Sequence, residues 1–170
     1  LMSICRLVEK KGIEYAIRAV ASVVNLYPHV HYTIIGDGPL KKDLEALVVR
    51  LNMQAYIHFM GNQPHEKISD LLSSADIFLS PSVTTADGNQ EGIANSLKEA
   101  IASGALVVGT DHAGTNELVY DGISGFLVPE RDSTALQEKI CYLIAHPEIW
   151  DTMRTFGRQI VQERFCLAKS

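Results

Sequence analysis

The chain has 170 residues, 46% of them hydrophobic and 21% charged, with a formal net charge of −5. That size and composition allow one sizeable core and point to a single domain. The acidic balance, with basic runs no longer than Lys10-Lys11 and Lys41-Lys42, excludes the clustered basic face of a nucleic-acid binder, and no apolar stretch reaches the ~18 residues of a membrane-spanning helix.

Strand-like and helix-like segments then alternate along the chain. Residues 1–6 read as a strand, and a strand with no lead-in suggests a chain cut from a longer one. Ile13, Ala16, Ile17, Val20, Val23 and Val24 mark one face of a helix. A second strand covers 30–36 and ends at Gly36. A helix over 39–51 follows, with Pro39 in its first turn, where a missing N–H costs nothing. Residues 56–61 form a short strand, 65–75 a helix after Pro64, and 76–82 a strand broken by Pro81. The aperiodic, polar stretch 83–90 reads as an exposed loop. A helix over 96–103 stops at Gly104, and 105–110 is a strand. Residues 114–129 combine one helical turn with turns at Gly122 and Gly125. Two helices, 133–145 and 147–165, close the chain.

Such alternation, with apolar strands, predicts an α/β fold: a Rossmann-like parallel sheet flanked by helices on both faces. Ligands in these folds sit beyond the carboxyl ends of the strands. The informative residues fall there: Arg6, Gly36, Gly61, Ser80 to Ser82, and Gly109 onward.

"GDGP", Gly36 to Pro39, lies between a strand and a helix, and reads either as plain turn chemistry or as a close backbone approach to an anion. A full dinucleotide fingerprint is missing, because its third glycine would fall at Lys41. Arg6 and Lys11 stand five apart around a strand end with Gly12 behind them. Two such cations suit a diphosphate, Arg by forking across oxygens and Lys as a point charge, or else are solvated surface charge, as Lys10 is expected to be. No Asp-x-Asp pair occurs to clamp a magnesium ion, and His29 with His31 lacks a third ligand. His112, after a strand end, is a better polar contact. No G-x-S-x-G elbow is present. Cys5, Cys141 and Cys166 show neither paired nor zinc spacing and read as reduced thiols.

"EGIANSLKEA" holds two acids, Glu91 and Glu99. Ser96 and Glu99 are spaced as a capping box, which leaves Glu91 on the loop side. A continuous helix would splay the two acids by about 80°. A loop leading into a helix lets both border one pocket, with the amides around Ile93 to Asn95 forming an anion site.

The fragments "RLVEKKG", "IIGDGPL", "FMGN", "ADIFLSPS", "EGIANSLKEAIASGALVVGT" and "ELVYDGISGFLVP" occur in this order and cover nearly the whole chain. Together they resemble the C-terminal, donor-binding half of retaining GT-B glycosyltransferases of the large family that includes sucrose synthases. "TTADGNQEGIAN" is similar to enzymes of bacterial exopolysaccharide and colanic-acid-type assembly. The resemblance implies that residues 1–170 form one nucleotide-sugar-binding domain, with an N-terminal acceptor-binding domain absent. It implies that Arg6 and Lys11 neutralise the leaving diphosphate and that Glu91 faces the donor sugar. Gly36, Gly38, Phe59, Met60 and Gly61 would line the base and ribose. Gly92, Ile93, Ala94 and Asn95 would offer amides to sugar and phosphate, and Glu99 would hold the ribose hydroxyls.

Two residues depart from the family pattern: Cys5 stands where Gly is common and Ala94 where Pro is frequent. The implied activity is metal-independent, retaining transfer of a hexose from a nucleotide sugar, UDP-glucose or UDP-galactose, to a polysaccharide or lipid-linked acceptor, with no cofactor. The expected partners are the donor and the missing domain, with no nucleic acid. The expected place is the cytoplasm, with membrane contact only through the full-length protein. A sugar-nucleotide epimerase and a non-catalytic nucleotide-binding module stand as alternatives.

Overall fold

The computed structural model describes residues 1–87, 95–112 and 114–166, with side chains as far as Arg164. Among them six strands alternate with seven α-helices. They are β1 (Met2–Ile4), α1 (Ile13–Leu26), β2 (Tyr32–Ile35), α2 (Lys41–Arg50), β3 (Ile57–Gly61), α3 (His65–Ser73), β4 (Ile77–Ser80), α4 (Asn95–Ala102), β5 (Leu106–Thr110), α5 (Thr115–Leu118), β6 (Gly125–Val128), α6 (Ser133–Ala145) and α7 (Trp150–Val161). All strand pairs are parallel, in the order β3-β2-β1-β4-β5-β6. The chain steps outward from β1 to β3, then returns to β4 on the other side of β1. That reversal creates a switch point between β1 and β4, where doubly wound sheets open a crevice. β1 and β4 pair at Met2↔Phe78.

The period-2 alternation of each strand divides the core in two. Ile34, Ile77, Leu79, Leu106 and Val108 face α1, α2 and α6. Ile35, Phe78 and Val107 face the residues of α3, α4 and α7. With apolar side chains on both faces, the sheet has no wet side to offer, which is why its strands read as near-continuous apolar runs. All six residues predicted to mark the α1 face are buried.

Four local expectations are corrected. Pro39 lies in a turn before α2, because the Leu40 amide donates to the Leu7 carbonyl at 3.1 Å and the helix begins at Lys41. Gly125 is the first residue of β6 and no turn. A Cβ there would lie 2.6 Å from the Val107 carbonyl oxygen, so glycine lets this edge strand approach β5. Ser96 lies inside α4, which starts at Asn95, and so cannot close its start. The last predicted helix divides into a 3-10 turn, Pro147–Ile149, α7, and a π-helical stretch, Gln162–Cys166. No helix among the described residues is long and apolar enough to cross a membrane.

One polar group sits inside the central strand. Ser3, 1% exposed, donates to the Leu79 carbonyl at 2.7 Å and lies 2.7 Å from the hydroxyl of fully buried Tyr32. With its proton on Leu79, Ser3 accepts from Tyr32. Burial pushes the Tyr32 phenol well above its ordinary range, with the Ser3 hydrogen bond opposing that push. Ser3→Ala should therefore cost about 1–3 kcal/mol, because it strands a buried donor, and Tyr32→Phe only about 1 kcal/mol. Urea unfolding midpoints of the two variants check the order, and equal losses would refute it.

Candidate functional site

The site is built from the loops that leave β1 and β4. After β1 the chain turns through Arg6 and Leu7 into a 3-10 turn, Glu9–Lys11. Gly12 then starts α1 with φ +64°, and a Cβ there would lie 1.9 Å from the Pro81 carbonyl oxygen. The Val83 amide donates to the Lys10 carbonyl at 2.9 Å. Backbone contacts thus lace the two loops together across the switch point.

On the other side, the β1 loop is held by the β2 loop. The Leu7 amide donates to the Asp37 carbonyl at 2.9 Å and the Cys5 amide to the Ile35 carbonyl at 3.0 Å. Gly36, at φ +134°, brings its backbone so close that a Cβ would lie 1.8 Å from the Cys5 carbonyl oxygen. The close approach expected of the "GDGP" glycines is made to the chain's own residues 5–7. Its effect is to fix the segment that carries Arg6.

An open cleft of about 540 Å³ lies over this end of the sheet, lined by Arg6, Val8, Glu9, Lys10, Thr85, Ala86 and Asp87. Arg6 is exposed and makes no ion pair with the described residues. Lys10, expected as solvated surface charge, is half-buried and lines the cleft beside Arg6. Lys11 lines a narrower recess over the β1 and β4 ends, with Ser80, Ser82 and Ser96. Three cations therefore stand around the switch point, with Glu9 and Asp87 at the rim.

The remaining predicted residues are distributed more widely. Phe59, Met60 and Gly61 end β3, the edge strand two places from β1, and the Gly61 carbonyl accepts from the Gly36 amide at 2.9 Å. Neither they nor Gly36 and Gly38 line the Arg6 cleft. Glu99, half-buried on α4, lines a separate groove of about 280 Å³ with His65, Ser69 and Ser103. Asn95 is the first residue of α4. Glu91, Gly92, Ile93 and Ala94 lie outside the described residues.

Sequence reasoning named His112 as a polar contact but missed the rest of the far lip. The Thr84 amide and hydroxyl both donate to the Glu130 carboxylate, the hydroxyl at 3.3 Å. His112 Nδ1 lies 3.2 Å from Glu130 Oε1, with its side chain 1% exposed. Arg131 donates to the Thr84 carbonyl at 2.6 Å and to the Tyr15 hydroxyl at 3.0 Å. Reading Gly125 as a turn hid β6, and with it the fact that Glu130 and Arg131 follow a strand end. Recognising "GFLV" as a strand was the signal available. Among the described residues no three His, Cys, Asp or Glu side chains gather as metal ligands.

The model of the family described as glycosyl transferases group 1 matches residues 1–146. WcaL of Escherichia coli K12, named as a colanic acid biosynthesis glycosyltransferase, is 40% identical over 140 residues, 82% of this chain and 34% of WcaL. The chain thus spans about a third of the length of that relative. HepE of Anabaena, solved with UDP-glucose, matches with a TM-score of 0.85 and 26% identity over 96% of this chain and 44% of HepE. The C-terminal domain of LpcC, a group 1 glycosyl transferase of Francisella tularensis, matches in fold, with a TM-score of 0.84 and 24% identity over 96% of this chain and 85% of that domain. The parallel sheet and its flanking helices match the C-terminal domains of GT-B glycosyltransferases.

Proposed function

The chain belongs to the group 1 glycosyl transferases, and on that premise we propose that it binds the nucleotide-sugar donor of a retaining, metal-independent hexosyltransferase. The observation that carries this reading is the gathering of Arg6, Lys10 and Lys11 around the switch point, at the sheet end where parallel folds take their ligands. Arg6 forks across the oxygens of the leaving diphosphate, and Lys11 adds a point charge from the recess beneath. Glu99 stands one helical turn along α4 from Ser96 of the Lys11 recess, and the proposed donor spans from that recess into the Glu99 groove, where the carboxylate accepts from the ribose hydroxyls.

The UDP-glucose in HepE supports a uridine nucleotide carrying a hexose. The name of WcaL supports a place in colanic-acid-type polysaccharide assembly, and the proposed acceptor is lipid-linked and met at the cytoplasmic face of a membrane. A further domain outside this chain binds that acceptor. Departure of the diphosphate on the face where the acceptor attacks retains the anomeric configuration and lets a phosphate oxygen take the acceptor proton. Catalysis is then electrostatic stabilisation of the leaving group plus positioning, with no metal required.

Calorimetry of this chain against UDP, UDP-glucose, GDP and ADP, without metal and then with magnesium, tests the reading. UDP and UDP-glucose should bind best, indifferent to magnesium. Glu99→Ala should weaken UDP by about tenfold, the worth of one hydrogen bond to a charged group. Equal binding of all three nucleotides, or binding only with magnesium, would overturn it.

A further inference from the structure

We propose that Glu130 and Arg131 are positioning residues that grip Thr84 and so set the far wall of the donor cleft. This inference rests on the donor-binding reading above. Glu130 takes the Thr84 amide and hydroxyl, while Arg131 takes the Thr84 carbonyl. All three polar groups of one residue are therefore held by two adjacent residues some 46 positions away in sequence. His112, buried to 1% exposure, backs the Glu130 carboxylate from behind. Arg131 also reaches the Tyr15 hydroxyl on α1, the helix that follows the Arg6 loop, with its guanidinium 6.0 Å from the Tyr15 ring centre. Through Arg131, the cleft wall of Thr85, Ala86 and Asp87 is referenced to the helix behind the opposite wall of Arg6, Glu9 and Lys10.

The backbone supplies an independent observation. Arg131 has φ +60°, one of two non-glycine residues in the left-handed region among those described. A long side chain is disfavoured there, and glycine would be at ease. Strain of this kind persists where the surrounding structure holds it and clusters at functional sites. A turn that served connectivity alone would be better built with glycine. Here an arginine stands instead, and its hydrogen bonds go to Thr84 beside the cleft wall and to Tyr15 on α1.

Arg131→Gly separates the two roles. It relaxes the backbone while releasing the Thr84 carbonyl, so the unfolding midpoint should hold or rise while UDP binding by this chain weakens about tenfold. That is the loss expected if the wall spends about a tenth of its time in place. In the intact enzyme the KM for UDP-glucose should rise by the same factor with kcat nearly unchanged, as for an interaction that serves ground and transition states alike. Glu130→Gln keeps the shape but turns one acceptor into a donor, and should weaken UDP similarly while the Thr84 amide exchanges its hydrogen faster. If wild-type chain binds UDP and both variants bind it equally well, the inference is overturned and the donor-binding reading stands. If Arg131→Gly lowers the unfolding midpoint and leaves KM alone, the pair is structural only. If wild-type chain binds no nucleotide, the reading falls and this inference with it.

Discussion

Alanine at position 36 should cost the fold about 3–5 kcal/mol, the size reserved for a change the surroundings cannot absorb. The reason is both conformational and steric. Gly36 has φ +134°, outside the region that L residues adopt, and the added methyl would lie 1.8 Å from the Cys5 carbonyl oxygen. Relief would require parting the loops after β1 and β2, which the Cys5, Leu7 and Leu40 amides hold together. Gly61 is the matched control, with φ +69° and nothing within 4 Å of its Cβ position. Gly61→Ala should cost only the backbone penalty of about 1–2 kcal/mol. Urea unfolding of both variants decides the matter. Equal losses would mean that close approach to residue 5 is unimportant. Because the same contact fixes the segment that carries Arg6, Gly36→Ala should also weaken UDP binding in whatever fraction stays folded.

Replacing Arg6 by alanine should lower transfer by the intact enzyme on the order of 10²–10³, the scale at which loss of one preorganised charge-stabilising group is felt. Arg6 is exposed at the cleft and holds no ion pair with the described residues. Its removal should accordingly leave the unfolding midpoint within about 0.5 kcal/mol of wild type. Arg6→Lys restores a charge but not the two-pronged geometry, and should recover only part of the rate. The measurement is kcat/KM for the nucleotide sugar, beside the stability of each variant. A loss of rate no larger than about fivefold, the most expected of an exposed surface charge worth up to 1 kcal/mol, would remove Arg6 from the proposed chemistry. Lys10, brought into the same cleft by the fold, should show a smaller loss confined to donor affinity.

Local signals carried far in this chain. Element type follows from periodicity, which is a property of neighbouring residues. The apolar spacing from Ile13 to Val24 produced α1, and the boundaries of α6 match the expected 133–145. The parallel, double-faced sheet followed from the same source, since strands with no polar face must be covered on both sides. Arg6 and Lys11 were legible as strand-end cations because the end of an apolar run is visible in the letters. Periodicity failed where a tertiary contact outweighed it. Leu40 gave its amide to Leu7 and moved the start of α2, and Gly125 served an approach to Val107 that no neighbour in sequence announces.

The sequence by itself determined which segments are strands and helices, which faces are apolar, and that cations stand at strand ends, because each depends on residues a few positions apart. Tertiary structure alone decided that Lys10 shares the cleft with Arg6, that Glu99 lines a different groove, and that Glu130 and Arg131 grip Thr84. Those facts depend on strand order and on hydrogen bonds between distant residues, where a carboxylate and an amide carry no local mark of the partner they will meet.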